Sequence, residues 1–188
     1  MQRREFLVST ALGVVSAGWA TSAAAHMPYR QWDIFRQRYL QILTSRTDLD
    51  GDALGDAWVA LLRDKLPLSR ALVSRARDML RVASLLKTDQ GKLAILSYAD
   101  AEAMFSGKAP FEDYAPMPLE VLLDRGTHLL VTRKDLPLHH GFLITTTLME
   151  QAQALRIAVP AQGKFGMALH AGASSYLRGE KIDLPPAS

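Results

Sequence analysis

The segment at residues 77–103, RDMLRVASLLKTDQGKLAILSYADAEA, constrains the fold of this chain more than any other stretch. Its first half places apolar residues at helical spacing, which is typical of a helix with one buried face. The polar residues at 89–91 end that pattern. Residues 93–96 are continuously apolar, as expected for a strand that is covered on both faces. The segment therefore predicts a helix, a turn, a buried strand and the start of another helix.

The preceding residues predict two further units of the same kind. Residues 39–43 form a short apolar run that predicts a strand, and a helix with Trp58 on its apolar face follows, with Asp52 as its N-cap. Residues 69–76 can form an edge strand, and Asp78 can cap the next helix. The alternation of strands and helices is typical of a parallel sheet with helices packed on it. We therefore predict an α/β fold, a single three-layer lobe with a mostly parallel sheet.

The second half of the chain predicts mixed structure. Two strand candidates, 119–123 and 128–132, flank the Arg-Gly pair at 125–126 and predict a hairpin or bent pair. Further predicted elements are a helix at 139–155, a short strand at 157–159 and a terminal helix at 168–178.

The first 25 residues predict an export signal rather than part of the fold. Arg3 and Arg4 precede an apolar stretch at 6–19, and three alanines precede His26. This pattern resembles a twin-arginine (Tat) signal, with a Sec signal as the alternative. We expect the remaining domain, 26–188, to be exported to the periplasm. No later segment reaches the roughly 20 apolar residues of a membrane span.

The composition excludes several classes of function. The chain has no cysteine, which excludes disulfides and thiolate metal sites. Its net charge is only +3, and no run of Lys and Arg alternates with aromatic residues. The sequence therefore predicts no nucleic-acid partner.

Polar side chains follow two neighbouring strands of the predicted sheet. They are Thr44, Ser45 and Arg46 after the first strand, and Ser97, Tyr98 and Asp100 after the strand at 92–96. Parallel strands bring their carboxyl ends to one edge, where open α/β sheets bind ligands. Hydroxyls and a guanidinium beside a helix N-terminus suit a carboxylate or phosphate. Each group also has a structural alternative. Thr44, Ser45 and Arg46 would then be polar loop residues without a ligand, Tyr98 would pack at the edge of the core, and Asp100 would cap a helix.

Two other patterns suggest a metal but lack the necessary geometry. The run DLDGD at 48–52 is similar to a calcium loop, but Val59 occupies the twelfth position, where an EF-hand has glutamate. Adjacent His139 and His140 point in different directions on a helix, so they do not converge readily on one ion. His170 is better placed to brace the C-terminal segment. With no nucleophile elbow, Gly-rich phosphate loop or paired-carboxylate motif, we predict no metal, no cofactor and no catalytic activity.

Three segments resemble the TAXI-type solute-binding proteins of TRAP transporters. They are RVASLLKTDQGKLAILSYADA at 81–101, HHGFLITTTLMEQA at 139–152 and LHAGASSYL at 169–177. The last is similar to the family's closing P-L-H-P-G-A-x-x-Y-Y motif, with Ala171 in place of the proline and Leu177 in place of the second aromatic. The helix at 139 follows VTRKDLP almost directly, where family members have a whole second lobe. The resemblance therefore implies a one-lobed, periplasmic-binding-protein-like relative over about residues 40–177.

Two functions follow from this resemblance and from the export signal. The family captures a small solute, usually a carboxylate, between two lobes and passes it to membrane transporter subunits. The first function is therefore an exported solute-binding-like protein with a small anionic solute. The alternative is a non-catalytic accessory subunit or escort of a Tat-exported redox enzyme, with a co-exported protein as partner. A one-lobed form should bind weakly, borrow a wall from a partner or bind nothing, because enclosing walls normally bury most of a small ligand.

Overall fold

The computed structural model describes residues 39–114 and 117–182. The predicted export signal at 1–25 lies outside the described residues. The strands are β1 (Gln41–Ser45), β2 (Leu72–Ala76), β3 (Leu93–Ser97), β4 (Leu119–Asp124), β5 (His128–Arg133) and β6 (Ala168–Leu169). The helices are α1 (Leu49–Lys65), α2 (Met79–Lys87), α3 (Tyr98–Ser106), α4 (Leu138–Met149), α5 (Ala152–Leu155) and α6 (Ala171–Leu177).

The strands form one mixed sheet in the order β2-β1-β3-β5-β4-β6. β1 pairs in parallel with both β2 and β3, and β6 pairs in parallel with β4. β5 is antiparallel to β3 and β4, so the predicted hairpin is confirmed, with a bulge between Val121 and Leu123. The predicted α/β lobe with a mostly parallel sheet is confirmed.

The sheet separates two hydrophobic clusters, which gives the lobe its three layers. Alternating strand residues enter opposite clusters, because successive side chains point to opposite faces. Leu43, Ala94 and Leu96 pack with α2 and α3 on one face. Ile42 and Ile95 pack with α1 and α4 on the other, where Trp58 is fully buried. The complete burial of Leu96 confirms the interpretation of residues 93–96 as a strand covered on both faces.

The N-terminus of α1 corrects one predicted boundary. The helix begins at Leu49 and its N-cap is Asp48, whose Oδ1 accepts a hydrogen bond from the Gly51 amide at 3.0 Å. The prediction of Asp52 as the cap was wrong, because Asp52 already lies in the first turn. The predicted cap of α2 is confirmed, since Asp78 accepts a hydrogen bond from the Arg81 amide at 2.7 Å.

The C-terminal third differs from the prediction in three places. The predicted helix at 139–155 is two helices, α4 and α5, because the backbone of Gln151 leaves helical angles. Residues 157–159 form no strand; Ala158 makes an isolated antiparallel bridge to Asp124. The segment at 168–178 begins with β6 instead of a helix turn, because residues 168–169 pair with β4.

The His170 side chain joins the closing segment to the loop before α4 rather than to the sheet. Its Nδ1 accepts a hydrogen bond from the Gly172 amide at 3.0 Å, and its Nε2 lies 3.1 Å from the Leu136 carbonyl oxygen. α6 lies against α4 at glycines: a Cβ on Gly172 would lie 2.3 Å from the Phe142 nitrogen. Larger residues there would force the two helices apart. None of the helices within residues 39–114 and 117–182 is both long and apolar enough to cross a membrane.

Candidate functional site

The six predicted site residues all lie at one edge of the sheet, where β1 and β3 end. β1 and β3 are parallel neighbours, so their carboxyl ends meet there. From β1 the chain continues into α1 on one face, and from β3 it continues into α3 on the other. This divergence is the topological switch point at which open α/β sheets bind ligands. The predicted juxtaposition of the two segments is therefore present.

Thr44 and Ser45 are not available to a ligand, which corrects their predicted role. They belong to β1 rather than to the loop after it, because β1 stays paired with β2 as far as Ser45 and Ala76. Both are buried, at 0% and 1% exposure. The Thr44 hydroxyl donates to Asp52 at 2.7 Å, and the Ser45 hydroxyl lies 2.7 Å from that of Thr47. They stabilise the start of α1 instead of facing solvent.

Arg46 is the predicted site residue that reaches solvent with a free charge. Its side chain is exposed, and it makes no hydrogen bond or ion pair with any residue of the described part of the chain. Its backbone amide donates to the Ala76 carbonyl at 3.0 Å, which holds the residue at the carboxyl end of β1. The arrangement leaves a fixed backbone carrying a free guanidinium.

The carboxylates closest to Arg46 in the sequence are mostly engaged by other groups. Asp48 lies 3.1 Å from the Nε2 of His128, which is buried at the start of β5. Asp52 lies 2.8 Å from the Nε of Arg75. Burial opposes ionisation of Asp52, but the hydrogen bonds from Arg75 and Thr44 outweigh it, so its pKa is lowered, with the charge of Arg46 also contributing.

Ser97 and Asp100 satisfy each other at the start of α3. Ser97, the last residue of β3, is the N-cap: its Oγ accepts from the Asp100 amide at 3.1 Å and donates to the Asp100 carboxylate at 2.7 Å. Asp100 is therefore not the cap that the sequence suggested as its alternative role. Both side chains support the helix, but Asp100 makes no ion pair with a described residue, so its carboxylate keeps a negative charge at this edge.

Tyr98 takes part in a cluster that the sequence did not predict. Its hydroxyl donates to one carboxylate oxygen of Asp124 at the end of β4. The Lys164 Nζ donates to the same hydroxyl at 2.5 Å and to the other oxygen of Asp124 at 2.6 Å. The ring of Phe165 meets that of Tyr98 edge-on, with centroids 5.4 Å apart. We call Tyr98, Asp124, Lys164 and Phe165 the lysine cluster.

The groups of the lysine cluster keep their usual protonation states at neutral pH. Burial raises the pKa of Tyr98, and the adjacent Asp124 adds to the effect. For Asp124 and Lys164, burial is outweighed by their mutual hydrogen bond, so the pKa of Asp124 is lowered and that of Lys164 is raised. At neutral pH the cluster therefore contains a neutral phenol, a carboxylate and an ammonium. None of these pKa values is shifted toward 7, as the pKa of a general base or an activated nucleophile would be.

Within the described residues, no three His, Cys, Asp or Glu side chains are grouped to hold a metal ion. The acidic run at 48–52 is the cap and first turn of α1 instead of an open calcium loop. The rings of His139 and His140 are in contact at the start of α4, with centroids 4.3 Å apart and planes tilted by 60°. Burial lowers the pKa of His140, as does the charge of His139. His170 is occupied by the backbone contacts described above.

Arg46 lies exposed at the predicted edge. An open depression elsewhere is lined by residues 149–154, a single stretch of chain at the α4–α5 break, and by none of the predicted site residues.

Comparisons with known proteins assign neither a family nor a function to this site. No protein-family model, no curated protein and no solved structure matches this chain.

Proposed function

We propose that this chain is an exported, non-catalytic binding protein that takes a small carboxylate or other small anion at the carboxyl edge of β1 and β3, for transport or sensing. The observation that carries the proposal is Arg46. It is exposed and unpaired, and its backbone is fixed at the switch point of the sheet. An arginine guanidinium is well suited to a carboxylate because its donors match the two oxygens.

The binding should be weak and sensitive to salt. A single guanidinium on an open surface stays in contact with water, and salt screens exposed charges beyond about 8–10 Å near physiological ionic strength. Asp50 is exposed in the first turn of α1 and makes no ion pair with a described residue, so its charge opposes an anion. The resemblance to the TAXI family supports a carboxylate as the solute and membrane transporter subunits as its recipients.

The test is calorimetry with acetate and succinate at constant ionic strength on the mature protein. We expect Arg46→Ala to weaken binding by about tenfold or more, because the residue supplies the only positive charge among the predicted site residues. The matched control is Lys134→Ala, which removes an exposed cation after β5 at the opposite edge of the sheet. Asp50→Asn should strengthen binding. Equal binding by the wild type and Arg46→Ala would place any anion elsewhere and overturn the proposal.

The exposed charge of Arg46 also fits the second candidate, an accessory subunit of an exported redox enzyme. A partner protein could supply the missing wall and place an acidic side chain against Arg46. In this case a co-purified partner should be absent from preparations of Arg46→Ala and present in those of Lys134→Ala. Free carboxylates should bind neither the wild type nor the variants. A partner retained by both variants would exclude this edge as the interface.

A further inference from the structure

The lysine cluster has the geometry of a binding site for an ammonium group. The Lys164 Nζ lies 3.8 Å from the centroid of the Tyr98 ring and 5.7 Å from that of Phe165. Both distances fall within the range of cation–π attraction. The Asp124 carboxylate lies 2.6 Å away and supplies the opposite charge. Two aromatic rings and a carboxylate around one cation are the parts from which proteins build ammonium sites.

The loop that carries Lys164 is held in an unfavourable backbone conformation. Phe165 has φ +54°, in the left-handed region that bulky residues rarely adopt, and Gly166 follows at φ +86°. The chain folds back so closely that a Cβ on Gly163 would lie 1.6 Å from the Met167 carbonyl oxygen. This conformation costs free energy, which the contacts of Lys164 and Phe165 help to offset, together with the Met167 amide, which donates to the Lys164 carbonyl at 2.9 Å.

We propose that Tyr98 and Asp124, with Phe165 at the side, form a binding site for a small primary amine, and that Lys164 occupies this site as an internal ligand that the amine displaces. A primary ammonium can reproduce the two hydrogen bonds that the Lys164 Nζ donates, to the Tyr98 hydroxyl and to Asp124. A quaternary ammonium can not, because it has no N–H. With Lys164 in place, the side chains of Lys164 and Asp124 are 29% and 16% exposed, so a cation in this site is partly shielded from water.

The amine would contact Tyr98 and Asp124, whereas the proposed anion contact is the Arg46 guanidinium, so the two proposals rest on different groups. The probes below carry no carboxylate, so the failure of the anion proposal would not affect their outcome. Equally, a failure to bind amines would leave the expected effect of Arg46→Ala on carboxylates unchanged.

The first experiment removes the internal ligand. In Lys164→Ala, n-propylammonium chloride should raise the melting temperature saturably relative to sodium chloride at the same ionic strength. Tetramethylammonium chloride should raise it much less. Lys164→Met is the matched control, because it loses the charge but keeps a side chain of similar length in the site; it should not respond. The double variant Lys164→Ala/Asp124→Asn should not respond either.

The second experiment follows displacement in the wild-type protein. Release of Lys164 should free the loop, so n-propylammonium should increase the rate of chymotrypsin cleavage after Phe165 by several-fold over sodium chloride. If Lys164→Ala gives no cooperative unfolding transition, its refolding yield with and without the amine replaces the melting temperature. The absence of a saturable amine effect on Lys164→Ala, or an equal effect on the Asp124→Asn double variant, overturns the site. Unchanged wild-type cleavage at amine concentrations that saturate Lys164→Ala overturns displacement.

Discussion

Replacing Asp48 tests how the start of α1 is joined to the sheet. Asp48 does two things: it caps α1 through the Gly51 amide, and it accepts a hydrogen bond from the Nε2 of His128 at 3.1 Å. A carboxylate can only accept, so this nitrogen must carry the proton. His128 is 6% exposed, and it would keep a buried donor without a partner in Asp48→Ala.

The two losses can be estimated separately. Loss of an N-cap costs about 1 kcal/mol, and a buried donor left without its partner costs about 1–3 kcal/mol. We therefore expect Asp48→Ala to lower the free energy of unfolding by about 2–4 kcal/mol. Asp78→Ala, which removes the cap of α2 from an exposed position, should cost only about 1 kcal/mol.

The assay is urea unfolding of the wild-type protein and of the Asp48→Ala, Asp48→Asn and Asp78→Ala variants. Asp48→Asn should lose the least, because an amide oxygen can still cap the helix and accept from His128. Equal losses in Asp48→Ala and Asp78→Ala would refute the reasoning, because the contact with His128 would then contribute nothing measurable.

Three further predictions concern the core, the lysine cluster and export. Leu96→Asp should abolish cooperative unfolding, because it places an unpaired charge in a fully buried strand; a melting temperature like that of the wild type would contradict the core assignment. The pKa of Asp124 is lowered in the folded protein, so its ionised carboxylate stabilises the fold; this contribution is fully present above the unfolded-state pKa near 3.8 and is lost as the pH falls through the folded-state pKa. Asp124→Asn should therefore reduce the dependence of the free energy of unfolding on pH at acid pH, measured by urea unfolding. An unchanged pH dependence would count against the cluster. Replacing Arg3 and Arg4 with Lys should leave the precursor in the cytoplasm if export is by the Tat route, as fractionation would show, whereas normal periplasmic accumulation would indicate Sec.

The layered core was predictable because it depends on local patterns. Residues 93–96 are apolar on both faces, and such a run is favourable only where both faces of a strand are covered. The apolar face of α2 and its Asp78 cap are equally local, because capping and helical spacing act within a few residues. The hairpin at β4 and β5 follows from the same kind of pattern. These features needed no knowledge of the partners of each element.

Element boundaries were less predictable, because they depend on pairing. Thr44 and Ser45 follow an apolar run, and their polarity suggested a loop. In the structure β1 continues through Ser45 because β2 extends alongside it as far as Ala76. The hydroxyls are then buried and bonded, as buried polar groups must be. The choice between Asp48 and Asp52 as the cap of α1 is likewise tertiary, because only the geometry of the β1–α1 connection decides which carboxylate reaches the free amides of the helix.

The sequence by itself determined the α/β architecture and the meeting of Arg46 and Tyr98 at one edge, because parallel strands bring their carboxyl ends together whatever their side chains are. Tertiary structure alone decided what those side chains do. Lys164 reaches Tyr98 across 66 residues and Asp124 across 40, and no local pattern encodes contacts at such separations. Tyr98 and Asp124 therefore contact an ammonium of their own chain. Asp48 and Asp52, the carboxylates near Arg46 in the sequence, contact His128 and Arg75, and the Arg46 side chain makes no ion pair with a described residue.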